Sequence, residues 1–123
     1  MNNLQQNVKK LFELATIGNT IQAMELFYAD DVTMQENEEA PRIGKQFCLA
    51  HEKQLLENTK DVSIQVINQA IDLVQQVVFT EMEINFTTKK GVKLHLKEIS
   101  IQHWHEGQVI KEKFYYKDFV PRG

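Results

Sequence analysis

The sequence predicts an α+β fold in which N-terminal helices lie against a curled antiparallel sheet and enclose one pocket. Two observations predict it. Apolar residues recur at helical spacing in the first part of the chain. From Val62 onward they alternate with polar ones, in runs broken at Lys90-Gly91 and Glu106-Gly107, where tight hairpins are expected. A length of 123 residues fits a single domain spanning 1–123. A chain of this size buries roughly two-thirds of its unfolded surface, enough for one core.

Leu4, Val8, Leu11, Phe12 and Ala15 mark one face of a first helix. Gly18 sits where a left-handed C′ residue is wanted, and Asn19 or Thr20 can cap a second helix running from Thr20 to Tyr28 and ended by Asp30-Asp31. A short strand from Val32 to Glu36 and an acidic loop, Asn37-Glu38-Glu39-Ala40-Pro41, precede a third helix. That helix shows Ile43, Phe47, Ala50, Gln54 and Leu55 at helical spacing, and Asn58-Thr59-Lys60-Asp61 breaks it. The rest reads as a four-strand meander: a strand from Val62 with a bend or bulge at Asn68 to Asp72, then Val74–Thr88, Val92–Trp104 and Val109–Phe119.

The composition, 42% hydrophobic and 25% charged with a net charge of −3, is that of an ordinary globular protein. No basic stripe points to nucleic acid. No Lys/Arg-rich helix or apolar run of ~18 residues points to a membrane. Cys48 is the only cysteine, so no intrachain disulfide forms, which fits a reducing compartment. The first residues, Met1 to Gln6, lack a basic segment followed by an apolar run and are not read as a secretory signal, so a cytoplasmic location is expected.

Two-residue loops at both hairpins would set the register. His103 would face Ile110, Ile99 would face Phe114 and Lys97 would face Tyr116, while Met82 would face Ile99 and Ile84 would face Lys97. The face carrying Val78, Thr80, Met82, Ile84, Phe86, Ile99, Ile101, Ile110, Phe114 and Tyr116 is then the inner one. It also carries His95, Lys97, His103 and Glu112, which must be paired, line a wet cavity or lie at its rim. On the opposite face Trp104 and Tyr115 stand among charges, beside Ser100, and point to pairing with a second copy.

Three segments carry a family resemblance. They are Gly18-Asn19 through Phe27-Tyr28-Ala29-Asp30-Asp31-Val32-Thr33-Met34-Gln35-Glu36, then Pro41-Arg42-Ile43-Gly44-Lys45-Gln46, and Trp104-His105-Glu106-Gly107-Gln108-Val109-Ile110 through Glu112-Lys113-Phe114-Tyr115-Tyr116. In this order they resemble the SnoaL-like and ketosteroid-isomerase-like branch of the nuclear transport factor 2-like (cystatin-like) superfamily, over nearly the whole chain. The resemblance implies a cone: a curved antiparallel sheet wrapped around the N-terminal helices, with a pocket at the open end. Members include isomerases, cyclases, dehydratases and proteins that only bind or dimerise, so fold alone does not give the activity. Glu36 matches the catalytic carboxylate position of the steroid isomerases, Tyr116 a pocket-wall aromatic and Glu112 a pocket-wall apolar position. The family's two oxyanion donors fall at Leu11 and near Lys97, which cannot form that acidic pair, so steroid isomerisation is not expected.

The expected function is therefore a pocket for a mostly apolar, carbonyl-bearing small molecule, with cofactor-free proton transfer of the isomerase, cyclase or dehydratase type as its chemistry. Glu36, Lys97 and Glu112 are the candidate catalytic residues, and His103, Tyr116, Phe114, Ile99 and Met82 the candidate ligand contacts. The alternative is a non-catalytic homodimeric module built on Trp104, Tyr115 and Ser100 with a vestigial pocket. Plainer roles compete: Lys97 and Glu112 as a structural ion pair, His103 as a satisfied core histidine, His51 as a helix-surface residue, Cys48 as a small buried hydrophobe. His103 and His105 share a face, but two ligands fall short of the three or four that zinc needs, so no metal site is assigned.

Overall fold

A computed structural model describes residues 3–117 and 120–121. The chain opens with helix α1 (Leu4–Thr16), whose buried face is Val8, Leu11 and Phe12. Asn3 caps it by accepting the Gln6 N–H at 3.0 Å. At its other end Gly18 N–H reaches the Ala15 carbonyl and Asn19 N–H the Leu14 carbonyl, the double bond of a Schellman motif. Helix α2 (Thr20–Phe27) passes without a break into strand β1 (Tyr28–Glu36). Tyr28, expected in the helix, and Asp30-Asp31, expected to end it, therefore belong to a strand that starts earlier than Val32.

Strand β2 (Arg42–Ile43), helix α3 (Lys45–Glu57) and strands β3 (Thr59–Asp72), β4 (Val77–Thr88), β5 (Lys93–His105) and β6 (Gln108–Tyr116) follow. The main sheet order is β2-β1-β6-β5-β4-β3, with β1 and β6 parallel and the other neighbours antiparallel. A short β7 (Val120–Pro121) pairs with β5 at Leu94 and His95. The expected end of the last meander strand, Phe119, lies outside the described residues. The helices pack Leu11, Phe12, Met24, Phe27, Cys48 and Leu49 against Val78, Met82, Trp104 and Val109 of the curved, unclosed sheet.

The register of the meander differs from expectation at both hairpins. Thr88 N–H bonds the Val92 carbonyl, and Gly91 N–H bonds the Thr88 carbonyl. The first loop is thus Lys89-Lys90-Gly91, three residues with glycine in the left-handed position (φ +86°) that such a loop requires. Met82 consequently faces Glu98, and Ile84 faces Leu96. The second hairpin has the expected two-residue turn, with Glu106 and Gly107 both at positive φ and His105 opposite Gln108. A bulge then intervenes: Trp104 faces Val109 but His103 faces Lys111, which leaves Ile110 extra.

The two one-residue displacements cancel for β4 and β6 and fall entirely on β5. Val78, Thr80, Met82 and Ile84, and Phe114 and Tyr116, occupy the expected face. Strand β5 is inverted. Glu98, Ser100, Gln102 and Trp104 point inward and are buried, whereas Lys97 and Ile99 point outward and are exposed and His103 is only half-buried. The Lys97–Glu112 pair therefore does not exist: Lys97 lies across from Glu83 on the outer face, and Glu112 is buried inside. Trp104 and Ser100 cannot belong to an outer partner surface, since both are in the core. Bulges also interrupt β3 against β4, one of them at Ile67, just ahead of the expected site.

Helix α3 is likewise rotated from expectation. Its buried residues are Cys48 and Leu49, with His51 and Glu52 half-buried, while Ile43, Phe47 and Leu55 are exposed. Trp104 is the largest side chain of the core, 3% exposed and tilted against Phe27 at a ring separation of 5.9 Å. Truncation at Trp104 should leave a cavity. Trp104→Ala is expected to lose about 3–5 kcal/mol in chemical denaturation, the range for large aromatics in well-packed cores, whereas an outer-face residue would lose almost nothing.

Candidate functional site

Between the helices and the sheet lie two adjoining chambers. The outer one is about 240 Å³ and the deeper one about 140 Å³. They share walls from Ala15, Met34, Ile64, Ile84 and Phe114, with Glu52 and Glu98 as the acidic groups common to both. Alternation in β4, β5 and β6 places the sheet-side walls, and α1 and α3 supply the roof.

A polar network floors the deeper chamber. Glu112 of β6 is 3% exposed. One of its oxygens accepts the Tyr28 hydroxyl from β1, and the other accepts Ser100 Oγ at 2.8 Å and Gln102 Nε2 at 3.0 Å from β5. Gln102 Oε1 in turn accepts the Trp104 indole N–H at 3.1 Å. Burial pushes the Glu112 carboxyl upward, and the three donated hydrogen bonds oppose that shift. Burial also raises the Tyr28 hydroxyl well above its ordinary value, with the neighbouring Glu112 adding to it.

Glu98 is different. It is 7% exposed and lines both chambers, and no hydrogen bond or ion pair from the described residues reaches its carboxyl. Burial, with the nearby carboxyls of Glu112, Glu36 and Glu52 adding to it, pushes its pKa up to about 8. At neutral pH this side chain is a carboxylic acid, a hydrogen-bond donor aimed into an apolar cavity.

Around the outer chamber, Glu36 of β1 is held by Arg42, with Nη1 to Oε2 at 2.6 Å. Glu52 of α3 accepts the Thr20 hydroxyl at 3.3 Å, and burial raises its carboxyl. His51 lines this wall, so it is not a plain surface residue, and burial beside Arg42 lowers its pKa. Of the expected site residues, Glu36, Glu112, Tyr116, Phe114 and Met82 line these chambers, while Lys97, His103 and Ile99 face away from them. Glu98, Glu52 and Tyr28 were not anticipated. The sequence signal for Glu98 was the length of the Lys89-Lys90-Gly91 loop, which sets the phase of β5 against β4. Among the described residues, no group of three or more His, Cys, Asp and Glu side chains is placed to hold a metal ion, and no helix is long and apolar enough to cross a membrane.

The elevated Glu98 carboxyl has a consequence for stability. In the unfolded chain it ionises near its ordinary value of 4.5, and in the folded chain only near 8. Between these values the unfolded state has released a proton that the folded state keeps, so stability falls as pH rises through this window. Glu98→Gln should remove that decline. Denaturation at pH 5 and pH 8.5 is expected to show the variant gaining on the wild type by an amount on the order of a few kcal/mol at the higher pH; parallel pH profiles would contradict the assignment.

No protein-family model matches the sequence, and no curated protein does. Solved structures do. A protein from Mesorhizobium loti assigned as a SnoaL-like polyketide cyclase superposes with a TM-score of 0.80 at 21% identity, covering 94% of this chain and 100% of that one. An NTF2-like protein of unknown function from Burkholderia pseudomallei gives 0.80 at 12% identity, covering 95% and 92%. An LEH-like epoxide hydrolase from M. tuberculosis gives 0.75 at 9% identity, covering 93% and 78%. Agreement of this extent at such low identity is agreement of fold, and the chain carries the SnoaL-like, nuclear transport factor 2-like fold.

Proposed function

We propose that the protein is a cytoplasmic small-molecule-binding protein whose cone holds a compact, mostly apolar, carbonyl-bearing ligand. The observation that supports this reading most is Glu98, an acid 7% exposed that borders both chambers and has no hydrogen-bond partner among the described residues. A carbonyl oxygen in the chamber could accept from it, a hydrogen bond worth about 0.5–1.5 kcal/mol net. The chemistry that suits the arrangement is cofactor-free proton transfer beside the carbonyl, of the isomerase, cyclase or dehydratase type. Glu98 would polarise the oxygen, and Glu36, salt-bridged to Arg42 on the outer wall, would be the base. Glu112, with both oxygens committed to its own network, positions the β5 wall rather than touching the ligand.

Phe114, Tyr116 and Met82 supply apolar contact in this proposal. Ketones, esters and enones screened by thermal shift at pH 6.5 should include stabilising compounds. Their effect should vanish in Glu98→Leu, survive in Glu98→Gln, which keeps a donor, and fade in the wild type as pH rises past about 8 and the acid ionises. Binding indifferent to Glu98→Leu, or no binder at all, would defeat the reading.

A second reading concerns the outer face. Phe79, Ile99 and Tyr115 are exposed there, with Ile99 opposite Glu81 on one side and Tyr115 on the other. Glu81 and Glu83 flank this apolar strip on β4, and Lys111 and Lys113 flank it on β6. A two-fold axis through the strip would lay the acidic edge of one copy on the basic edge of the other, so we propose a homodimer centred on Ile99 and Tyr115. Sedimentation at micromolar concentration should give a dimer that Ile99→Glu converts to a folded monomer; a monomeric wild type would rule the dimer out.

A further inference from the structure

Resting on the carbonyl-binding reading, we propose that the ligand carries its carbonyl internally, between two apolar arms of unequal size, rather than at the end of a chain. The argument comes from where Glu98 lies, a carboxyl with no hydrogen bond from the described residues. Glu98 borders both chambers, so a carbonyl that meets it sits at their junction with cavity on either side. A terminal carbonyl placed there would leave one chamber empty, and an empty apolar chamber forfeits the contacts its lining would make.

The deeper chamber accepts an apolar arm. Leu11, Phe12, Ala23, Met24 and Met82 contribute to its wall. Its polar floor is spent internally: the Tyr28 hydroxyl, Ser100 Oγ and Gln102 Nε2 all donate to Glu112, and Gln102 Oε1 is taken by Trp104. At about 140 Å³ it is close to the ~150 Å³ apolar cavity that takes up benzene. That is room for an arm of a few carbons. Methionines at positions 24 and 82 can adjust to its shape. The outer chamber, about 240 Å³, takes the larger arm and is bordered by the exposed Gly18 and Leu55, which mark its route to solvent. The ligand class is thus an unsymmetrical or branched ketone or ester with carbon on both sides of the C=O.

Isomeric C9 carbonyl compounds separate this idea from its premise. Nonan-4-one and nonanal have the same atoms, but the ketone places its carbonyl between a propyl and a pentyl arm and the aldehyde at the end of the chain. Calorimetry on the wild type at pH 6.5 should show nonan-4-one binding about tenfold tighter, the gain from burying about two further methylenes. Ala23→Leu, which fills the deeper chamber from α2, should abolish that preference. If this variant fails to fold, contacts in the wild type serve instead: nonan-4-one should give NMR cross-peaks to the Met82 methyl and to Leu56 of the outer chamber together, and nonanal to one of them alone. Equal affinity for the two isomers, a preference that survives Ala23→Leu, or cross-peaks to a single chamber overturns the internal-carbonyl assignment with carbonyl binding intact. Binding of neither isomer, with no ketone or ester active in the wider screen, would instead fail the premise.

Discussion

Strand β5 is hydrogen-bonded on both long edges, to β4 and to β6, and a strand held that way cannot turn over without breaking both ladders. Its phase is the constraint on which the rest depends. With even-numbered residues inward, the sheet presents Leu96, Glu98, Ser100, Gln102 and Trp104 to the helices, and these five side chains build the core contact with Phe27, the polar floor and the unpaired acid. Two local devices hold that phase: the third residue in the Lys89-Lys90-Gly91 loop and the extra residue Ile110 in β6. Either one alone would put β4 and β6 out of step with β5; together they restore a common inner face for all three strands.

The network under the cavity follows from the same placement. Tyr28, Ser100 and Gln102 come from two strands on either side of β6 and converge on one carboxyl, which ties the parallel β1–β6 seam to the antiparallel meander. Burial pushes the Glu112 carboxyl upward, and the three donated hydrogen bonds oppose that push without cancelling it. Glu98 has none among the described residues. Its burial, with the neighbouring carboxyls of Glu112, Glu36 and Glu52 adding to it, pushes its pKa up to about 8. The difference between the two acids lies in the count of donors around each.

Much of this was legible in the sequence. Both hairpin positions, the inward phase of β4 and that of β6 from Glu112 onward follow from alternation and from Gly91 and Gly107, whereas Ile110, expected inside, is exposed and Val109 is buried in its place. The phase of β5 does not, because both of its faces are mixed: Ile99 and Ile101 stand among His95, Lys97 and His103 on one side, and Leu94, Leu96 and Trp104 among Glu98, Ser100 and Gln102 on the other. A polar network that is satisfied inside the core reads, in one dimension, as a solvent face. The rotation of α3 was hidden for a similar reason. Phe47 and Leu55 form a plausible apolar stripe yet stay exposed, while the side chains turned inward are the small Cys48, Leu49 and the polar pair His51 and Glu52.

Among the described residues strand β3 ends the sheet with no neighbour on its far edge, and at 14 residues it is the longest strand. A straight open edge of that length is a template for endless strand addition between molecules. Here the edge is broken twice, by the shifts at Lys60–Ser63 and at Ile67, and Asp61 adopts φ +54°, outside any regular strand conformation. Each break twists the backbone away from the line a neighbouring chain would need. The irregularities that bend the sheet into a cone thus also keep one molecule's rim from zipping onto another's, so the same departures from ideal pleating that open a cavity guard against polymerisation.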